Sequence, residues 1–475
     1  MNDPIIRIDR ITLTDMKSVG YGEIDFLAKE TALFEQPSIM GIYGQNASGK
    51  TSVVETINLL RDLIAGERIS RRCLDYITCG KDRCKLEIAF SIVTMDEQTN
   101  CTVTYQCTLA KMLDPNRDGV TIICVPDESL KISGRVDGES YVLQSIAETD
   151  ENEPLIRPEF KRRLLFGSEK KITDEIRLEK ALALRESRSF LFSNAVLSKI
   201  QENNETAHYR LVLSWIRLFV TEKLFVVFER DFGAQRMSFS NRDTKKLGFI
   251  DGIPLWLVHE NSDFGVYGCM TIPLQGFAYV PKTGYDLLRM TVEEINPVLA
   301  SLVPGLNIAV NTIGEQSGED GQPEYQIELF SYREGCGKFP LRLESQGVRK
   351  IVSILSLLIG VHNNPQVCLV VDELDAGVFE YLLGELMQTM EDSGKGQLIF
   401  TSHNLRPLEK LNWKSICFTT NNPQNRFTKL KAKQSNNLRD VYYRNIGLGT
   451  DDVQLYDGAS RYELGYAFRK AGRKE

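Results

Sequence analysis

Residues 41–60 read GIYGQNASGKTSVVETINLL, and the reading of this stretch decides the fold. Gly44, Gly49, Lys50 and Thr51 satisfy GxxxxGK[ST], the pattern of a phosphate-binding loop that opens a helix. Glycine tolerates the backbone angles that turn successive N–H groups inward around phosphate oxygens. Lys50 brings positive charge to the β- and γ-phosphates, and Thr51 offers a hydroxyl to Mg²⁺. Gln45, Asn46, Ala47, Ser48 and Ser52 lie in or beside the same loop and are counted as nucleotide-binding with it. Composition alone produces this pattern on the order of 0.02 times in a chain this long. The context lowers chance further. A short apolar strand, PSIMGIYG, precedes the loop, and Val53, Val54, Ile57, Leu60 and Ile64 fall on one face of a helix over 50–65, whose N-terminus points at the phosphates.

A phosphate loop acts with a second group that holds the metal. Residues 367–375, VCLVVDELD, supply it: an apolar run ends in Asp372 and Glu373. Carboxylates placed there emerge at the carboxyl end of a buried strand, where ligands sit in open α/β sheets. Asp372 is expected to hold Mg²⁺ with Thr51, usually through water, and Glu373 to orient or deprotonate the attacking water. Residues 396–404, GQLIFTSHN, repeat the arrangement. Another buried strand ends in Ser402 and His403, and His403 there can donate a hydrogen bond to the γ-phosphate. Catalysis is thus assigned to Glu373 and His403, with ATP as substrate and Mg²⁺ as cofactor.

IIRIDRITL (5–13), YGEIDF (21–26), KLEIAFSIV (85–93) and CTVTYQCTL (101–109) read as strands, the last two as antiparallel neighbours. Residues 111–150 are rich in turn signals, such as DPNRDG and VDGES, and ETDENEP (148–154) reads as a solvated acidic linker. From 155 to 230 apolar residues recur at three- and four-residue spacing, which predicts helices, with no sustained heptads. Residues 285–303 read as an amphipathic helix. LNIAVNTI (306–313) and EYQIELFSY (324–332) read as a hairpin, and from 344 on helix and strand alternate as in a parallel sheet. The expected division is an ATPase lobe with the phosphate loop over 1–110, a β/helical insertion over 111–280, an ATPase lobe with the remaining motifs over 281–430 and a helical tail over 431–475. The tail holds NNLRDVYYRNIGL and ASRYELGYAFRKAGRKE, expected to pack on the lobe or to dock a partner.

The 475 residues are 42% apolar and 25% charged with net charge −7, which gives no global footprint of a nucleic-acid binder. The start, MNDPIIRIDR, lacks a secretion-signal pattern, and apolar stretches such as IVSILSLLIGV are too short to span a bilayer. A cytoplasmic protein without a membrane segment is expected. Ten cysteines form no CxxC pair and four histidines show no ligand spacing. Reduced, mostly buried thiols are expected, and no structural zinc site.

One further stretch narrows the class. In LESQGVRKIVSILSLL (343–358), Ser345 and Gly347 stand just before a helix, about 20 residues upstream of the strand that ends in Asp372. A hydroxyl residue and a glycine at a helix N-terminus make an anion site. In order and spacing, GQNASGKT, ESQGVRK, VVDELDAGVFEYLLGEL and FTSHN resemble the ABC-class ATPases of the SMC, RecF and OLD (overcoming lysogenization defect) group. The likeness is greatest to prokaryotic AAA family ATPases, many of them found in phage-defence loci. It covers roughly residues 5–110 and 280–425.

The resemblance implies an α/β P-loop NTPase of ABC-ATPase head type, with an antiparallel β edge and a helical insertion. It implies that Ser345 and Gly347 form a signature that closes in trans over the γ-phosphate of an opposing protomer, and that Asp375 lies in a D-loop facing that protomer. ESQGV stands where transporter ATPases carry LSGGQ, no aromatic residue just upstream of the loop is placed to stack adenine, and the glutamine of a Q-loop has no assigned position. SRSFLFSN (187–194) is the stretch where a sensing loop would return. The implied function is an ATP-driven switch: a homodimer formed on ATP binding that controls an effector, a nuclease or toxin, in trans, in phage defence. A RecF- or Rad50-like ATPase acting on DNA is the alternative, so a nucleic-acid partner stays open, and a small-molecule kinase leaves the signature helix and His403 unexplained. No TOPRIM nuclease is expected. Only 72 residues follow His403, and Asp451 and Asp452 are adjacent, so on a strand they would face opposite ways.

Overall fold

The computed structural model describes residues 4–27, 36–114, 117–150, 156–201, 204–229, 237–240, 247–250, 252–260, 265–273, 278–318, 321, 323–333, 335, 337–430, 437–448, 455 and 461–471. Asp451 and Asp452 lie outside them.

Two sheets organise the molecule, and the phosphate loop and its helix link them. The chain begins with β1 (Ile5–Met16) and β2 (Val19–Asp25), then β3 (Ser38–Tyr43) and α1 (Lys50–Ala65). β4 (Arg83–Val93), β5 (Asn100–Leu113), β6 (Thr121–Val136) and β7 (Glu139–Thr149) follow. These strands, without β3, form an antiparallel sheet in the order β2-β1-β4-β5-β6-β7. Next come α2 (Glu159–Phe166), α3 (Lys170–Glu186), α4 (Asn194–Leu197) and α5 (Asn204–Leu218), and then β8 (Leu224–Val227). Short hairpins follow: β9 (Met237–Ser240) with β10 (Leu247–Ile250), and β11 (Gly252–Glu260) with β12 (Gly265–Pro273).

The second half opens with β13 (Ala278–Pro281) and α6 (Lys282–Leu302), then β14 (Asn307–Ser317), β15 (Pro323–Arg333) and β16 (Gly337–Pro340). β14 and β15 pair antiparallel, with β13 on the far side of β15. α7 (Gln346–Asn363), β17 (Cys368–Val371), α8 (Glu380–Ser393), β18 (Gln397–Ser402) and β19 (Ile416–Thr419) alternate as a parallel sheet requires, and β20 (Phe427–Thr428) closes the edge. The core sheet runs β20-β19-β3-β18-β17-β8, parallel throughout except for β20.

Successive strand residues point to opposite faces, and the core strands divide accordingly. Met40, Ile42, Cys368 and Val370 join one apolar core with α1 and the antiparallel sheet. Ile39, Tyr43, Leu369 and Val371 join a second core with α6, α7 and α8. Helix α1 is therefore covered on nearly all sides, and its buried residues extend well beyond one stripe to Thr56, Leu59 and Leu63.

Two expectations are corrected. Residues 121–149 are not a turn-rich loop but two long strands that extend the first sheet. Pro126, Asp127, Glu128 and Ser129 break the alternation in β6 and disguise it. There the pairing with β5 shifts register, and the buried Glu128 carboxylate is satisfied by the Tyr105 hydroxyl at 2.7 Å and the Phe190 amide at 2.8 Å. That contact buries SRSFLFSN against β6. Second, the 155–230 stretch is not helical to its end: LFVV forms β8, beside β17 at the edge of the core sheet, with the four residues buried as the strand of an α/β sheet should be. Residue 110 falls inside β5, and β8 belongs to the core sheet.

The tail elements α9 (Leu438–Leu448) and α10 (Arg461–Ala471) differ. α9 is seated: Leu438 and Tyr442 are buried, and Tyr442 stacks on Phe418 at 5.0 Å. α10 leaves Tyr462, Leu464, Tyr466 and Phe468 exposed. Among the described residues no helix is long and apolar enough to cross a membrane. Cys73, Cys84, Cys101, Cys107, Cys124, Cys368 and Cys417 are free thiols and buried, and Cys79 is a free thiol and exposed.

Candidate functional site

β3, β18 and β17 are neighbours in that order, all parallel. The phosphate loop, His403 and the Asp372–Glu373 pair therefore leave the sheet at one edge, with the histidine strand between the other two.

The loop's shape depends on its neighbours. Gly49 has φ +95° and Ala47 φ +61°, left-handed values that glycine adopts without cost. A β-carbon on Gly44 would lie 1.7 Å from Thr419 Oγ1, so β19 presses directly on the loop. The Thr419 hydroxyl donates to Ser48 Oγ at 2.6 Å, and Ser48 donates to the Gln45 carbonyl at 2.7 Å. The Gln45 amide donates to Asn421 Oδ1 at 2.8 Å. Asn46 and Ala47 are exposed at the loop tip, whereas Ser52 is buried in the first turn of α1. Tyr43, just before the loop, is buried against Phe400 and Phe418, so its ring is not presented to a base.

Lys50 Nζ donates to the carbonyls of Gly44 at 2.9 Å and Gln45 at 3.0 Å, folded over the cradle that the loop forms. Burial lowers its pKa, while Glu373, Asp372 and Asp375 oppose that shift. The Thr51 hydroxyl donates to Asp372 Oδ1 at 3.3 Å, across 321 residues of sequence. Thr401, in the intervening strand, donates to the same Asp372 oxygen at 2.7 Å and accepts the Glu373 N–H at 2.7 Å.

Glu373 has φ +48°, an unusual conformation for a residue with a side chain. Its carboxyl pKa is raised, first by burial and then by the nearby Glu229 carboxylate. Glu229 stands two residues beyond Val227, and Glu373 two residues beyond its register partner Val371. His403 is exposed; loss of water and the Lys50 ammonium hold its pKa below the ordinary imidazole value. Asp375 Oδ2 accepts the backbone N–H groups of His403 at 3.1 Å and Asn404 at 2.9 Å, which ties the segment after β17 to the end of β18.

Ser345 caps α7, its hydroxyl accepting the Val348 N–H at 3.3 Å. Ser345 and Gln346 are exposed, but Gly347 is buried against Gly377. The structure thus gathers Lys50, Thr51, Asp372, Glu373, Asp375 and His403 at one sheet edge, with Ser345 on a separate exposed helix start. Sequence reasoning missed Thr401, Glu229 and Lys350. The Lys350 ammonium is buried and donates to the Glu373 carbonyl. A signal existed: Lys350 interrupts the apolar run of α7 on the stripe that continues through Ile354, Leu357 and Val361.

Thr51 and Asp372 are hard oxygen donors at mutual contact, which suits Mg²⁺. Among the described residues no group of three or more His, Cys, Asp or Glu side chains could hold a metal by itself. A pair of protein oxygens fits Mg²⁺, which keeps its waters and takes further ligands from substrate phosphates.

No protein-family model matches the chain, and no curated protein does. Its fold is similar to solved structures at low identity. An Smc head bound to the C-terminal winged-helix domain of ScpA is 13% identical, over 90% of this chain and 98% of that one, with TM-score 0.42. The SMC head domain from Thermotoga maritima is 15% identical, over 90% and 100%, with TM-score 0.36. The recombination mediator RecF with ATP is 11% identical, over 84% and 94%, with TM-score 0.32.

Proposed function

We propose that the chain is an ATPase of the ABC class that dimerises around ATP and uses that closure to control a partner effector, a nuclease or toxin, in phage defence. The observation that carries the ATPase reading is the Thr51–Asp372 hydrogen bond, with Glu373 next to it and His403 on the strand between.

In this reading the loop amides and Lys50 bind the phosphates, and Thr51 and Asp372 hold Mg²⁺, which neutralises charge on the β- and γ-phosphates when bound. Glu373 takes a proton from water as the water oxygen bonds to the γ-phosphorus and the bond to the β–γ bridging oxygen breaks. The products are ADP and inorganic phosphate. His403 donates a hydrogen bond to the γ-phosphate, which its neutral form can do through one ring N–H. The exposed N-terminus of α7 serves the partner protomer's phosphate.

The test compares wild type with Glu373→Gln, which keeps the shape and loses the base. Turnover should fall about 10²–10³-fold, and the variant should accumulate as an ATP-bound dimer in size-exclusion chromatography with light scattering. Full turnover in the variant would move the base elsewhere. Salt-sensitive binding of DNA by the wild type would favour action on DNA instead of on a protein effector.

A further inference from the structure

Helix α7 is expected to act on a nucleotide held by another protomer, yet its buried side makes contacts within its own chain that bear on the hydrolytic residue. One turn after the cap Ser345, Lys350 turns inward and is buried. Its ammonium donates to the main-chain carbonyl of Glu373. A buried lysine on an otherwise apolar helix face is costly unless its charge is matched. Acidic groups from different elements offset that cost in part: Asp375, Glu373 and Asp372 after β17, and Glu229 after β8.

What Lys350 holds is a strained point. Glu373 sits at φ +48°, a conformation that is disfavoured in a non-glycine residue and persists where the surroundings enforce it. Its N–H is fixed by Thr401 Oγ1 at 2.7 Å, and its carbonyl accepts both the Lys350 ammonium and the Ala376 N–H at 3.0 Å, so each polar atom of its main chain is held by a side chain and the turn closes on the carbonyl as well. These bonds set the direction of Cα–Cβ, the point from which the side chain reaches its carboxylate. Four residues on, Gly377 meets Gly347 of the same helix. Thus α7 touches both ends of segment 373–377.

We propose that Lys350 is a positioning residue for hydrolysis: from the helix whose exposed end would face the partner's nucleotide, it fixes the backbone of Glu373 and so the aim of that carboxylate at water. This rests on Glu373 being the base of an ATPase. It deepens that reading by making α7 the part through which engagement of one nucleotide is felt at the other. Any shift of α7 on closure acts on the Lys350–Glu373 bond in the same protomer.

The experiment measures kcat, and separately the equilibrium affinity for a labelled non-hydrolysable ATP analogue with Mg²⁺, for wild type, Glu373→Gln, Lys350→Met, Lys350→Gln and Lys350→Arg in the full chain. Lys350→Met keeps the length and apolar stem and removes the ammonium. The expected result is a fall in kcat of about 10²-fold, the scale of a misplaced catalytic group, with analogue affinity within about threefold of wild type. Lys350→Arg should recover a substantial part of the rate, and Lys350→Gln, a neutral donor, a smaller part. Thermal unfolding checks that each variant folds; if Lys350→Met does not, the ordering of Arg, Gln and wild type carries the test. Folded Met or Gln variants with wild-type kcat would overturn the proposal, as would affinity and rate falling together without rescue by Arg. If wild type itself fails to hydrolyse ATP, it is the ATPase reading that fails instead; if wild type hydrolyses ATP and Glu373→Gln is fully active, the base lies elsewhere and the role of Lys350 falls with it.

Discussion

Gly347 and Gly377 pack backbone to backbone: a β-carbon on Gly347 would lie 1.9 Å from the Gly377 carbonyl oxygen, and Gly377 itself holds φ +76°. The contact joins the start of α7 to the segment that follows Asp372 and Glu373. It also gives a sign test. In an unconstrained helix Gly→Ala stabilises by about 1 kcal/mol. Here the overlap is with backbone, which cannot swing aside as a flexible side chain can, so Gly347→Ala should destabilise by about 1–3 kcal/mol in urea unfolding. A stabilised variant would mean that the two glycines are not in contact. The same geometry rules out Gly347→Glu as a clean probe of the partner's phosphate, because a side chain there points into its own chain.

Arg7 makes a second long-range tie. It is buried in β1, and its guanidinium donates to the carbonyls of Gly396 at 2.9 Å and Gln36 at 3.4 Å, and to that of Lys395. Burial lowers its pKa to about 10, still far above neutrality. The residue pins the antiparallel sheet to the turn that leads into β18. Arg7→Met removes these donors, leaving the buried Gly396 carbonyl with only the Ser38 N–H at 3.1 Å, and should cost about 1–3 kcal/mol in urea unfolding. Arg7→Lys should lie between the two. An Arg7→Met midpoint equal to wild type would show that the sheets are held together by other contacts.

The strand-end positions of Asp372, Glu373 and His403 were legible because their signal is local: an apolar run followed at once by polar chemistry. The pairing of LNIAVNTI with EYQIELFSY was legible for the same reason, as was the alternation after 344. What sequence did not reveal depends on distant partners. Lys350 reads as a solvated charge until α7 is laid against Glu373, and Glu229 gains meaning only from the register Val227↔Val371. Thr401 is one more strand residue until Asp372 and Glu373 are seen to meet its hydroxyl. β6 was hidden by Asp127 and Glu128, polar residues that a half-buried strand should not carry inward without partners. β8 was hidden because LFVV continues a helical apolar pattern, and a short apolar run carries no period of its own.

Lys350 makes a pH prediction whose sign can be worked out. Burial lowers its pKa from 10.5 to about 8, against the opposing pull of Asp375, Glu229, Glu373 and Asp372. Between pH 8 and 10.5 the unfolded chain therefore binds more protons at this site than the folded chain, so this residue's contribution to stability rises with pH across that window. Below pH 8 the cost of burying the charge is present in full. Lys350→Met removes the group, so the stability of wild type minus that of the variant should increase from pH 7.5 to pH 10, with other titrating groups cancelling in the difference. Paired urea titrations measure it. A difference that stays flat would place Lys350 in a solvated position.

The composite site makes the last prediction. Ser345 is exposed and caps α7 through its hydroxyl. Aspartate is as good an N-cap as serine, so Ser345→Asp should leave folding intact while placing a negative charge where the partner's γ-phosphate would bind. The homodimer of this variant should bind ATP through its intact loop yet hydrolyse it poorly. Lys50→Ala should fail for the complementary reason, by loss of tight ATP binding, since the charge at the β- and γ-phosphates is gone. In a mixed dimer the loop of the Ser345→Asp chain faces the unaltered α7 of the Lys50→Ala chain, which restores one of the two sites. If protomers exchange freely, an equimolar mixture contains roughly a quarter of the wild-type number of intact sites, and activity should recover toward that level from two nearly inactive proteins. A single-protomer site predicts otherwise: mixing would only dilute two defective enzymes, and activity would stay at their average at every ratio.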